Sequence, residues 1–200
     1  TTLASFEETG TPSFRVFSGL DGATSLAFSG DETLAYVTSG NTIVTFNPSS
    51  PTWTAVRTQT YADGINFGTL GRIRYPSLGF ADQVFVADPI NKRVVRYFTN
   101  TLSGAQSIES DLSPIDMTAT SKRMLMLNNN STLSLYEVDD ASSSLLLNFG
   151  GPTTTGEAGK FNNPIAVYYT SDCVLVLEAG DVDGNRRIQI IRSGLADLLK

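Results

Sequence analysis

The sequence predicts an all-β protein assembled from about four repeats of a four-stranded unit. Two observations carry this. The first is a phrase that the chain says twice: residues 83–98 read QVFVADPINKRVVRYF, and residues 173–191 read CVLVLEAGDVDGNRRIQII. Each is an apolar strand, an acid (Asp88, Glu178), a turn holding an asparagine (Asn91, Asn185), an arginine (Arg93, Arg187) and a second apolar strand. The second is rhythm. Runs of about five to eight β-branched or aromatic residues, bounded by Gly, Pro, Asn, Asp and Ser, recur in groups of four.

Taken in order, the first unit has strands at 23–29, 33–39, 42–47 and 53–60. The second has 69–76, 83–88, 92–98 and 105–110, and the third 114–120, 122–128, 131–138 and 144–149. The fourth has only 164–169, 173–179 and 186–192. The runs are too short for helices, and VFVA and VLVL are apolar without alternation, as strands covered on both faces require. Only SGLADLLK at 193–200 has a helical pattern. Four strands per unit at a spacing of about 45–50 residues is the signature of β-propeller blades. One such sheet cannot bury both its faces, and stacking around an axis solves that. The expected organisation is an N-terminal arm over 1–11, then blades over 12–192 at about 19–60, 61–110, 111–149 and 150–192.

The second and fourth units resemble NHL repeats, a propeller family with a Gly-x-Phe-x-x-Pro lead-in and an Asp-x-x-Asn-x-Arg turn. The fourth supplies Gly159, Phe161, Pro164, Glu178 in place of the aspartate, Asn185, Arg187 and Ile188. The second supplies Asp88, Asn91, Arg93 and Val94, with a looser lead-in. The first keeps Asn41 without the arginine, and the third keeps only the rhythm. The resemblance implies a propeller fold and assigns no activity.

The fourth unit lacks an outer strand, and the strand-like segment 12–18 precedes the first unit unused. Docked beside 186–192, it would close a four-bladed ring and pair two free edges. The alternative is an arc of a larger, six-bladed type of propeller, completed by further chain or by a second copy. Both stay open at this point.

Composition narrows the function. The chain has no histidine, one cysteine and a net charge of −6. Histidine is the commonest metal ligand and general base. An acidic chain without a basic face does not suit nucleic acid. No apolar run reaches the roughly 18–20 residues of a membrane span. Cys173 heads the run CVLVL and reads as a buried structural thiol. Ser and Thr make up roughly a fifth of the residues and lysine is scarce, a surface typical of exported proteins. Overlapping glycosylation sequons start at Asn129 and Asn130. The expected location is extracellular or at the cell surface, with the cytoplasm as the alternative.

The acid–Asn–Arg sets can be read as a ligand array or as hairpin clamps. Clamps are favoured, since Asx side chains cap turns and arginine–carboxylate pairs pin neighbouring strands. Asp181, Asp183 and Asn185 place oxygens at alternate positions, like the opening of a calcium loop. Arg186 stands where the loop needs glycine, so a solvated turn is the better reading, with Ca2+ as the one cofactor alternative. Asp63, Asp88, Asp116 and Asn163 could supply axial metal ligands, although nothing singles them out. Tyr61, Phe67, Asp88, Asn91, Asp183 and Asn185 fall on one loop face and would form a contact surface. Phe161 is expected to pack between blades. The expected function is a non-catalytic module binding a protein, a glycan or a larger assembly. The alternative is a metal-dependent propeller hydrolase or lyase.

Overall fold

The computed structural model describes residues 2–5, 13–16, 20–49, 55–62, 65–76, 83–98, 105–120, 122–139, 142–170, 172–180 and 186–192. Strands β1 (Thr2–Ser5) and β2 (Ser13–Val16) form a two-stranded sheet. The first large sheet is β3 (Ala23–Phe28), β4 (Ala35–Ser39), β5 (Thr42–Phe46) and β6 (Ala55–Gln59). A short hairpin, β7 (Tyr61–Ala62) with β8 (Ile65–Asn66), leads to the second. That sheet is β9 (Ile73–Arg74), β10 (Gln83–Asp88), β11 (Arg93–Phe98) and β12 (Gln106–Glu109). The third is β13 (Pro114–Ala119), β14 (Arg123–Asn128), β15 (Thr132–Val138) and β16 (Ser143–Gly150). The fourth has three strands, β17 (Pro164–Tyr169), β18 (Cys173–Glu178) and β19 (Arg187–Arg192).

Among the described residues every ladder is antiparallel, and each large sheet is a meander in chain order. Successive first strands (β3, β9, β13, β17) touch one another, so they line the centre and the later strands radiate outward. Middle strands are covered on both faces, which is why β10 is buried from Gln83 to Asp88. Outer strands are wetter: β16 leaves Leu145, Leu146 and Leu147 exposed.

The core consists of sheet-on-sheet layers. Tyr36 and Ile43 of the first sheet meet Phe67 and Leu70 of the loop before the second and Ile73, Val84, Val86 and Val95 of the second itself. Phe85, Ala87, Val94 and Ile108 of the second meet Met117, Met124, Met126 and Tyr136 of the third. Leu125, Leu127, Leu133 and Leu135 of the third meet Val167, Tyr169, Val174 and Val176 of the fourth. On the far side of the first sheet, Val37, Val44 and Phe46 are also buried, with Leu20 packed on them.

Within the segment expected as an arm, residues 2–5 form β1. Of the two arrangements left open above, closure of a ring through 12–18 is not seen: Ser13–Val16 pairs with β1, and among the described residues no ladder joins the fourth sheet to the first. One strand is corrected: that read at 69–76 shortens to Ile73–Arg74. Gly71 and Arg72 still bond to Ala87, but only Ile73 and Arg74 hold ladder register. The helix read at 193–200 lies outside the described residues.

The turn between β3 and β4 makes a local prediction. Asp31 Oδ1 accepts from the Ser29 hydroxyl (2.6 Å) and from the Thr33 amide (3.1 Å) and hydroxyl (2.9 Å). The Ser29 bond first, then those from Thr33, hold the Asp31 carboxyl below its ordinary 3.8. A depressed carboxylate contributes stability above its unfolded pKa and loses it as pH falls through the folded one. The stability gap between wild type and Asp31→Ala should therefore be full at neutral pH. It should shrink below pH 3.8 in urea titrations, as the NMR shifts of the carboxyl record its protonation.

Candidate functional site

The repeated phrase folds into two hairpin clamps. In the second sheet Asp88, wholly buried at the end of β10, accepts through Oδ2 from Asn91 Nδ2 (2.9 Å), Arg93 Nε (3.0 Å) and the Gly68 amide (3.2 Å). Arg93 then reaches the Asn66 carbonyl at 2.5 Å. In the fourth sheet Glu178, also buried, accepts from Arg187 Nε (2.9 Å), Gln189 Nε2 (2.7 Å) and the Asn162 amide (2.6 Å). Arg187 continues to the carbonyls of Gly156, Glu157 and Lys160. Each acid therefore fastens its hairpin to the loop that leads into the same sheet. A Cβ at Gly68 would lie 2.5 Å from Asp88 Oδ1, so the loop approaches the carboxylate only as glycine.

The other two sheets do the same work without charge. Ser39, at the end of β4, donates to the Asp21 carbonyl (2.7 Å). Asn128, at the end of β14, donates to Ser134 Oγ (2.7 Å) and Thr132 Oγ1 (3.2 Å), while the Asn129 amide reaches the Ser113 carbonyl (2.9 Å). Charged and neutral clamps thus alternate around the array.

A second cluster lies at the centre. Asp116 on β13 is wholly buried and takes a two-pronged bond from Arg74 on β9, Nε to Oδ1 at 3.0 Å and Nη2 to Oδ2 at 2.7 Å. The Val167 amide of β17 donates to Oδ2 at 3.0 Å. One carboxylate joins the central strands of three sheets. Thr118 adds a bond from the Tyr169 amide at 3.3 Å, and Thr24 and Thr38 donate to the Gly71 carbonyl.

These contacts sort the expected site residues. Asp88, Arg93, Glu178 and Arg187 are brought together as clamps. Asp88 is buried and Phe67 packs in the core between the first two sheets, so neither belongs to a contact face as expected. Phe67 turns inward because β7 and β8 fold its loop into a hairpin. Asn91 is exposed but spends its amide on Asp88. Phe161 packs between the third and fourth sheets as expected. Asn129 and Asn130 are exposed in a turn, where Asn130 accepts from the Thr132 hydroxyl (2.6 Å). Cys173 is half-buried rather than buried. Asp63, Asp181, Asp183 and Asn185, with the Tyr61 side chain, lie outside the described residues. Among the described residues no three carboxylate or thiol groups gather as a metal cluster.

What the sequence reading missed is an open surface. The face of the fourth sheet turned away from the third carries two cross-strand rows, Ala166–Leu177–Ile188 and Tyr168–Leu175–Ile190. Ile188 is 60% exposed, Tyr168 54%, Ile190 53% and Leu177 41%. A recess of about 280 Å³ opens there, lined by Arg74, Ala166, Tyr168, Leu175, Leu177 and Ile188. The signal was present in RRIQII, whose outward isoleucines alternate at a strand's period of two. It could not be placed without knowing that, among the described residues, no sheet packs on that face.

No family model and no curated protein matches the chain. Solved structures do match in fold. A computationally designed protein, Ika4, superposes with a TM-score of 0.58 at 12% identity, over 88% of this chain and 96% of that one. A functionally unknown protein from Desulfotomaculum acetoxidans gives 0.63 at 14%, over 94% and 62%. A chain of the mitotic checkpoint complex gives 0.64 at 8%, over 85% and 50%. The chain thus spans about half to two thirds of the length of the last two. Propeller-like proteins are among such neighbours, and at these identities the likeness shows fold alone.

Proposed function

We propose that this chain is a non-catalytic β-propeller-type module that binds a protein partner or builds a larger assembly. The observation that carries the reading is the apolar face of the fourth sheet. Among the described residues the facing surfaces of successive sheets cover one another, and a large uncovered patch marks an interaction surface. The engagement of the buried acids supports it further. Asp116 and Glu178 engage arginine and backbone donors through both oxygens, and Asp88 does so through Oδ2, which fixes the strands. We place the module outside the cell or at its surface, on the strength of its composition, and read its blades as NHL-like from the acid–Asn–Arg turns.

The opposing reading is a metal-dependent propeller hydrolase or lyase. Elemental analysis of natively purified protein separates the two. The module should carry no stoichiometric divalent ion, and its thermal midpoint should be unmoved by EDTA. One tightly held divalent ion per chain, with loss of stability on chelation, would overturn the proposal.

A further inference from the structure

We propose that Asn130, in the hairpin turn joining β14 to β15, is the acceptor for a single N-linked oligosaccharide. The proposal rests on placing the module outside the cell. It adds a covalent site and chooses between two overlapping sequons.

The turn offers Asn129-Asn130-Ser131 and Asn130-Ser131-Thr132. Both asparagines are exposed, but only one is paired with the hydroxyl of its own sequon. Asn130 Oδ1 accepts from the Thr132 hydroxyl at 2.6 Å and from the Thr132 amide at 3.2 Å. That hydroxyl has a fixed direction. Asn128, wholly buried at the end of β14, donates through Nδ2 to the Thr132 oxygen at 3.2 Å, which turns the hydroxyl proton toward Asn130. Among the described residues no hydrogen bond engages Asn130 Nδ2, the atom that takes the sugar. The sequon at Asn129 lacks this pairing: among the described residues no bond joins Ser131 to the Asn129 side chain. The Asn129 backbone is instead tied down, its amide donating to the Ser113 carbonyl at 2.9 Å. Because the Asn130 contact spans only three residues, the chain can form it before the sheets assemble, as it can other local bonds from side chain to backbone.

The transfer is a substitution at the anomeric carbon of an oligosaccharide carried on a polyprenyl diphosphate. The Nδ2–C1 bond forms, the bond from C1 to the diphosphate oxygen breaks, and one Nδ2 proton passes to a base of the transferase. The lipid diphosphate leaves. The product keeps Oδ1 and one N–H, so both bonds from Thr132 survive and the folded turn needs no rearrangement. Sugars on adjacent side chains would crowd each other, so one is expected per turn. The turn joins the second and third strands of its sheet, as the clamp turns do in theirs. A bulky, solvated sugar there holds that end of the third sheet away from protein contact.

Expression of the full chain behind a secretory leader in eukaryotic cells tests this. Peptide-N-glycosidase converts the sugar-bearing asparagine to aspartate, and a peptide map then names the position. Ser131→Gly leaves only the Asn130 sequon, and glycine suits the φ of 64° at that position. Asn130→Gln leaves only the sequon at Asn129. The expected result is one sugar on Asn130 in the wild type, retained in Ser131→Gly and reduced in occupancy at least tenfold in Asn130→Gln. Circular dichroism of each variant confirms that the sheets remain. An unmodified wild-type chain overturns the proposal, as does sugar on Asn129 in the wild type or equal occupancy in the two variants. Fractionation of the native source keeps the two claims apart. Recovery in the cytosol sinks the placement outside the cell, whereas the secretory experiment alone decides the acceptor.

Discussion

Replacing Asp116 by alanine is expected to destabilise the fold by about 3–5 kcal/mol, the cost of removing one partner from a buried ion pair. The carboxylate is wholly buried, while the Arg74 side chain is 29% exposed. Loss of the acid strands a guanidinium against the apolar inner strands and leaves the Val167 amide without its acceptor. Urea unfolding should show the full loss in the midpoint. Asp116→Asn keeps the shape and one acceptor oxygen, and should cost less than the alanine. Adding Arg74→Met to Asp116→Ala should recover part of the loss, since it removes the stranded charge. A loss below about 1 kcal/mol for Asp116→Ala would show the pair to be as weak as a surface ion pair.

Phe161→Ala should cost about 3–5 kcal/mol, in the range for emptying a buried aromatic site. The ring is fully buried between the leucines of the third sheet and the valines of the fourth. Its backbone is held separately: the Phe161 amide donates to the Gly151 carbonyl at 2.8 Å, and its carbonyl accepts from Thr153 at 3.0 Å. The substitution should therefore leave the loop path in place and create a cavity. Gly150, at a φ of +94°, lies against the ring so closely that a Cβ would meet its Cε2 at 2.5 Å. The surroundings are thus tight, which limits collapse into the vacated space. Hydrogen exchange should report the loss first in β17 and β18. Uniform protection with an unchanged midpoint would refute this account.

Most of the fold was legible because strand signals and turn residues are local. β10, β17 and the hairpin turns lie where the pattern of apolar runs and Gly, Asn or Asp puts them. The clamps were legible for the same reason: Asp88 and Arg93 are register partners across one turn, as are Glu178 and Arg187. Asp116 was visible only as one acid among several. Its partners, Arg74 and Val167, stand 42 and 51 positions away, and no local pattern announces a contact of that range. Phe67 was misread because an aromatic in a loop looks like a contact residue until the loop is known to fold inward. Arg96, among the largest fully buried side chains, sits within an ordinary strand pattern and reaches the Asp139 carbonyl at 2.8 Å. The open face was hidden for a different reason. Its residues are those of any buried sheet face, and only the absence of a neighbour distinguishes it.

The reach of Asp116 has a consequence for how this array comes apart. In stacked repeats, stability is approximately a chain of nearest-neighbour terms, so terminal units fray while central ones persist. Asp116 breaks that independence, because it binds the second sheet and the fourth from the third. Detaching the fourth sheet removes the Val167 amide from the carboxylate that holds Arg74 of the second, and loosening the second withdraws Arg74 from the carboxylate that holds the fourth. Melting that would otherwise run stepwise from one end becomes concerted across three sheets, with a single carboxylate as the point of cooperativity.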